Sequence, residues 1–163
     1  MIRLVILDVD GCLSDGKISY TESGVESKNF NVRDGFGIKM IAKMGYTVAI
    51  ITGRNSPIVA HRAKELDISY VYQGVKDKLA VAQALCVELN LLPHEVAAIG
   101  DDLNDCRLLQ WVGRAFTPAD GSRHTKSIAQ ILTLCGGDGC VREMIEIVLE
   151  ENGDQERFIN FWM

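Results

Sequence analysis

Three apolar runs that each stop at an acid or a hydroxyl constrain this chain more than any other feature of it. Residues 2–8 read Ile-Arg-Leu-Val-Ile-Leu-Asp, residues 46–51 read Tyr-Thr-Val-Ala-Ile-Ile with Thr52 next, and residues 95–100 read Glu-Val-Ala-Ala-Ile-Gly with Asp101 and Asp102 next. Short unbroken runs of this kind suit strands covered on both faces, as in a parallel sheet. Helical patterns lie between them. Asp34 is the expected cap of a helix through Ile38, Met40, Ile41 and Met44, with Gly45 as its stop. Another starts near Ser56-Pro57, where proline suits the first turn, and runs to about Leu66. A strand at 69–72, a helix at 77–91 ended before Pro93, a short helix near 103–110, a strand near 113–116 and a helix near 140–151 complete the order. Such alternation predicts an α/β fold: a Rossmann-like, mostly parallel sheet with helices on both faces. Two β-prone stretches in residues 17–31, around Glu22-Ser23-Gly24, predict a small hairpin flap. Residues 152–163 are polar and then aromatic (Phe158, Phe161, Trp162) and read as a tail that docks. With 163 residues and no linker or repeat, one domain is expected.

Charge and cysteine usage narrow the partners. A net charge of −5 argues against nucleic acid or an anionic membrane surface. No apolar run reaches the roughly 18 residues needed to span a bilayer. The start at Met1 lacks the basic segment and cleavage site of an export signal. Five cysteines without a C-x-x-C pair predict reduced thiols packed as small hydrophobes, and hence a cytoplasmic protein. The three histidines do not cluster near them, so structural zinc is not expected.

In open parallel sheets ligands bind beyond the carboxyl ends of the strands, so Asp8, Asp10, Thr52 and Asp101 should converge on one rim. Carboxylates gathered there repel one another and would repel a phosphate, so the site needs a cation. Asp8, Asp10 and Asp101 offer the hard, sparse oxygen set that suits Mg²⁺. With the metal present, the carboxylate of Asp8 can attack phosphorus and Asp10 can serve as acid and then base. Thr52, the Gly53 amide and Lys78 are available to the phosphoryl oxygens. Each piece alone has a plain structural reading: D-x-D as a strand-end cap, T-G-R as a turn, G-D-D as a loop. Their order, each after a buried strand, carries the signal.

Asp8-Val-Asp10-Gly11-Cys-Leu-Ser-Asp15-Gly16, Thr52-Gly53-Arg54, Lys78 and Gly100-Asp101-Asp102-Leu-Asn-Asp105 together resemble the four motifs of the haloacid dehalogenase-like phosphatases. The resemblance implies Asp8 as nucleophile and metal ligand, and Asp10 as acid/base and ligand through its carbonyl. It implies Thr52 and Lys78 as phosphoryl holders, Asp101 as the third ligand, and supporting roles for Asp102 and Asp105. More narrowly, Asp15-Gly16-Lys17-Ile-Ser-Tyr, the segment from Lys28 to Ile38 and Gly136-Gly137-Asp138-Gly139-Cys140-Val141-Arg142-Glu143 resemble the 3-deoxy-D-manno-octulosonate 8-phosphate phosphatases of lipopolysaccharide synthesis. That family lacks a large cap and works as a homotetramer in which a hairpin and tail of one subunit help close a neighbour's site. By this match Asn31, Val32, Arg33, Asp34, Gly35, Lys39, Arg54 and Arg62 line the substrate pocket. Lys39 stands where the family often has arginine, Cys140 where it usually has alanine, and the aromatic tail departs from a small polar one. A nine-carbon reading, N-acylneuraminate or KDN 9-phosphate phosphatase, shares these motifs. A non-catalytic assembly module would have lost Asp8, Asp10 or Lys78, and a phosphomutase would carry a large cap.

Overall fold

The computed structural model describes residues 1–163. In chain order the elements are β1 (Leu4–Leu7), β2 (Ser19–Tyr20), β3 (Glu26–Ser27), α1 (Val32–Lys43), β4 (Thr47–Ile51), α2 (Pro57–Glu65), β5 (Tyr70–Tyr72) and α3 (Lys78–Leu89). They continue with β6 (Val96–Ile99), α4 (Cys106–Trp111), β7 (Arg114–Thr117), α5 (Arg123–Lys126), β8 (Gln130–Ile131), α6 (Cys140–Asn152) and α7 (Gln155–Asn160). Six strands form one sheet in the order β5-β4-β1-β6-β7-β8, with every adjacent pair parallel. The antiparallel hairpin β2-β3 stands apart from it and is the only excursion between β1 and α1. No cap-sized insertion is present.

The side-chain period of two explains the layering. On β1, Val5 and Leu7 face one side and pack with Ile38 and Ile41 of α1, Val59 and Ala63 of α2, and Met144, Ile145 and Val148 of α6. Leu4 and Ile6 face the other and pack with Ala82 and Leu85 of α3 and Leu108 and Leu109 of α4. Helices therefore cover both faces, as the unbroken apolar runs require. Three of the five cysteines, Cys12, Cys86 and Cys140, are buried as small apolar groups, and no disulfide forms. No helix is long and apolar enough to cross a membrane.

The register fixes the rim. Leu4 and Leu7 of β1 pair with Thr47 and Ile50 on one side and with Val96 and Ile99 on the other. Asp8 follows at the end of β1 and donates its amide to Ile99 O at 3.2 Å. Thr52 and Asp101 follow β4 and β6 at the same edge.

Several expectations are corrected. Helix α1 is capped by Asn31, not Asp34: the Asn31 side chain accepts from the Arg33 amide at 2.8 Å, and its backbone is extended. Asparagine supplies the cap oxygen one turn earlier, and Asp34 is then free to turn inward. Helix α5, strand β8 and helix α7 were not anticipated; α5 and β8 are too short to show a period. The tail is an anchored helix. Phe158 is buried, Phe36 of α1 meets it edge-on at 6.4 Å, Trp162 lies 5.1 Å from Phe36, and the Arg142 guanidinium covers the Phe36 and Phe158 rings at 5.3 and 4.8 Å. Tyr46 donates to Asp154 at 2.7 Å, holding the start of α7. The tail thus docks on its own α1 and α6.

Candidate active site

Asp8 and Asp105 at the rim meet on a buried cation. Lys78, the first residue of α3, is 2% exposed, and its Nζ donates to Asp8 Oδ1 at 2.7 Å and to Asp105 Oδ1 at 2.5 Å. Asp77 caps α3 through the Ala80 amide, which sets the helix start that brings Lys78 inward. Burial pulls the Lys78 ammonium down, but Asp8 and Asp105 outweigh it and hold the group above the usual lysine value. Asp8 moves the other way for a carboxylate. Burial raises it to about 6, against the lowering effect of Lys78 and with the negative charge of Asp105 adding to the rise. The lysine has two acids to itself, whereas Asp8 shares one cation with a second acid.

Asp105 also ties down the acidic loop. Its Oδ2 accepts the amides of Asp101 at 3.1 Å and Asp102 at 3.3 Å. The Asp101 carbonyl accepts from Ser122 N at 2.8 Å and Thr125 Oγ1 at 3.2 Å, so α5 braces the loop from behind. The Asp101 carboxyl, thus fixed, is raised to about 7 by burial and then by the charges of Asp8, Asp105 and Asp102. Gly11 permits its approach: at φ +93°, a Cβ there would lie 2.2 Å from Asp101 Oδ2. Asp102 is exposed and caps the turn that follows by accepting from the Leu103 amide.

Oxygens of Asp8 and Asp101 and the Cys12 thiol lie within 4.8 Å of one another. The Cys12 thiol is pushed well above its usual range, first by burial and then by Asp8 and Asp101. It is a neutral sulfur there, a poor partner for a hard cation. The two carboxylates, both pushed toward protonation by burial and by neighbouring acids, fit a divalent metal that prefers oxygen.

Thr52 is buried at the end of β4, its amide bonded to Tyr72 O and its carbonyl to the Val75 amide, both at 3.0 Å. Gly53 and Arg54 follow, exposed. Arg54 Nε stands 3.9 Å from Asp10 Oδ2, and its Nη2 donates to the Tyr20 hydroxyl of the hairpin at 3.1 Å. Asp10 itself bonds through Oδ1 to Lys28, which also pairs with Glu26 at 3.2 Å.

The expected pocket residues divide. Val32, Gly35, Lys39 and Arg62 line a groove of about 450 Å³ between α1 and α2, walled by Phe36 and Trp162. Arg62 donates to the Asn31 carbonyl at 3.3 Å, covers the Phe30 ring at 5.6 Å and pairs with Glu65 at 2.8 Å. Gly35 makes room for it, since a Cβ there would meet Arg62 Nη2 at 2.4 Å. Lys39 is bound to Glu65 O and to Asp67, each at 3.0 Å. Arg33 faces a different depression, beside Arg142 and Glu143. Asp34 leaves the pocket altogether. It is 1% exposed and accepts the Arg142 amide at 2.7 Å, in the first turn of α6. Burial raises its carboxyl to about 6 despite that donor. Thus Asp8, Asp10, Thr52, Lys78 and Asp101 share the rim with Arg54 at its edge, while Arg33 and Asp34 lie elsewhere.

Asp105, expected in a supporting role, pairs with Lys78 and holds the Asp101 loop. Lys28 was missed as a member of the site: it heads the segment that carries the narrower resemblance, but only the hairpin's fold returns it to Asp10.

Comparison with known proteins agrees with this arrangement. A family model described as haloacid dehalogenase-like hydrolase matches residues 68–145. The 3-deoxy-D-manno-octulosonate 8-phosphate phosphatase KdsC of Yersinia pestis is 43% identical over 149 residues, 91% of this chain and 80% of that protein. The enzyme of the same name from Escherichia coli K12 is 42% identical over 153 residues, 93% of this chain and 81% of that protein. A crystal structure of the Moraxella catarrhalis 3-deoxy-D-manno-octulosonate 8-phosphate phosphatase, in complex with magnesium, phosphate and KDO, superposes with a TM-score of 0.96 at 40% identity. It covers 99% of this chain and 94% of that one. With the rim acids, the buried lysine and near full-length similarity in agreement, the chain belongs to the 3-deoxy-D-manno-octulosonate 8-phosphate phosphatase family of the haloacid dehalogenase-like hydrolases.

Proposed function

We propose that this chain is a magnesium-dependent phosphatase that converts 3-deoxy-D-manno-octulosonate 8-phosphate to Kdo and phosphate. The observation that carries the chemistry is the buried Lys78 joining Asp8 to Asp105 beside Asp101. Asp8 attacks phosphorus, the bond to the sugar oxygen breaks, and Asp10 gives that oxygen its proton. Water then attacks the aspartyl-phosphate, Asp10 takes its proton, and Asp8 is restored. Thr52, the Gly53 amide and Lys78 hold the phosphoryl oxygens through the transfer. Asp8, Asp101 and the Asp10 carbonyl would hold magnesium, which would supply the positive charge that lets an anionic nucleophile and phosphate meet. Arg54, Arg62 and Lys39 are the cations available to a sugar carboxylate, with Asn31, Val32 and Gly35 on the face around them.

The substrate is tested by phosphate release from Kdo 8-phosphate and KDN 9-phosphate, assayed side by side with magnesium. A kcat/KM at least about tenfold higher on the eight-carbon ester is expected, a difference of about 1.4 kcal/mol in transition-state binding. The reverse preference would replace this reading with the nine-carbon one.

The chain works as one domain over residues 1–163, with a flap at about 16–31 and no cap of its own to exclude water. A neighbouring copy supplies the cover, in a homotetramer that acts in the cytoplasm. Exposed Val32, Val25 and Tyr20 support this, since they lie on the hairpin and on the first turn of α1. Light scattering after size exclusion should give four times the 18.0 kDa chain mass. A monomer with full activity would remove the shared site.

A further inference from the structure

The hairpin does more than stand over the rim. The Lys28 side chain is fully buried, with 0% exposure, although it sits on a two-stranded flap. Its Nζ donates to Asp10 Oδ1 and lies 3.2 Å from Glu26 Oε1. Glu26 Oε1 is 3.7 Å from Arg54 Nη2, and Arg54 Nε is 3.9 Å from Asp10 Oδ2. Two acids and two cations therefore close a ring whose charges cancel, half from the flap and half from the sheet rim. Within it the two oxygens of Asp10 are unequal. Oδ1 is taken by Lys28, while Oδ2 is buried and has no hydrogen-bond partner. A buried carboxylate oxygen without a donor is costly, and such an oxygen is tolerated where a reacting group completes it.

We propose that Lys28 is a positioning residue for catalysis: by binding Oδ1 it fixes the Asp10 carboxyl so that Oδ2 meets the leaving oxygen of the substrate. A lysine from the flap thereby makes acid catalysis depend on the flap being seated. This deepens the Asp10 assignment made above and rests on it. Lysine suits the task because a single compact ammonium can hold one oxygen and leave the other free, where a guanidinium fork favours both.

The test compares two leaving groups. Release of a sugar alkoxide needs a proton, whereas p-nitrophenolate leaves without one. The ratio kcat/KM reports events through departure of the leaving group, so it leaves out the later step in which Asp10 acts as base. Lys28→Met, which keeps the length and drops the charge, should lower kcat/KM on Kdo 8-phosphate by about 10- to 100-fold, part of the 10²–10⁴ that a positioned acid contributes. On p-nitrophenyl phosphate the loss in kcat/KM should stay within about threefold, while KM for Kdo 8-phosphate should not rise. Lys28→Arg should restore part of the lost rate. If Lys28→Met does not fold, Lys28→Gln carries the same comparison. Asp10→Asn is run alongside and should show the same leaving-group dependence, more strongly. Equal loss on both esters in a folded Lys28 variant, or no loss on either, overturns the positioning role. If Asp10→Asn lacks leaving-group dependence, it is the acid assignment itself that fails.

Discussion

Asp8→Asn should lose at least about four orders of magnitude in kcat, since an amide cannot carry the phosphoryl group. Acid-quenched parent enzyme should carry phosphate on residue 8 during turnover and the variant none. Retention of more than about one per cent of activity would place the nucleophile elsewhere. The same change should stabilise the metal-free fold. The Asp8 carboxyl rises from its ordinary value to about 6 on folding, mainly through burial. A raised carboxylate binds more protons in the folded state, so stability falls as pH rises through the window from about 4 to 6. Above that window the cost is fully present. Asparagine has no charge to bury, so at neutral pH without metal the variant should gain on the order of 2 kcal/mol. Denaturation in EDTA would check it, and the gain should vanish near pH 4. Activity and stability thus move oppositely at this residue, as expected where a site stores charge for chemistry.

Lys78→Met should be damaging in both respects. Removing one partner of a buried ion pair leaves the other uncompensated, at about 3–5 kcal/mol. Here Asp8 and Asp105 are left facing each other at 6% and 1% exposure. With the lowering effect of Lys78 gone, Asp8 rises further, because burial and Asp105 are then opposed only by the smaller effect of the Val9 backbone hydrogen bond. Its relief is protonation, so the deficit relative to the parent should shrink as pH falls from about 7.5 toward 5. Urea melts at the two ends of that range would show it, and a pH-independent deficit would mean that lost packing dominates. The rate should fall by about 10³-fold or more through loss of a phosphoryl-oxygen donor.

The sheet and the rim were readable because their signals are local. A buried parallel strand needs an unbroken apolar run, and β1, β4 and β6 each have one that leads within two residues to a proposed site residue. Lys78 was readable only from its place in the ordered set of motifs, since a lysine at the start of a helix reads by itself as solvated. Asp34 was misread because its chemistry suits a cap wherever a helix begins, and sequence does not say which helix. It serves α6, whose first turn follows it by more than a hundred residues. Lys28 was invisible for the same reason in reverse, since a charged residue on a short hairpin reads as solvated until the hairpin folds back on Asp10. The tail's aromatic residues showed that something is buried there, but not that Phe36 and Arg142 receive them.

The position of β1 in the sheet sets an order in time. Strand β1 leaves the ribosome before both of the strands that flank it, β4 and β6. One edge of β1 waits for residues 47–51 and the other for residues 96–99. Until then Leu4–Leu7 is an apolar ribbon with both backbone edges open, the condition most prone to mispairing between nascent chains. Asp8 stands at its end and Arg3 near its start, so the ribbon is bracketed by opposite charges while it waits. The carboxylate proposed as the nucleophile is thus also the charge that ends this apolar ribbon.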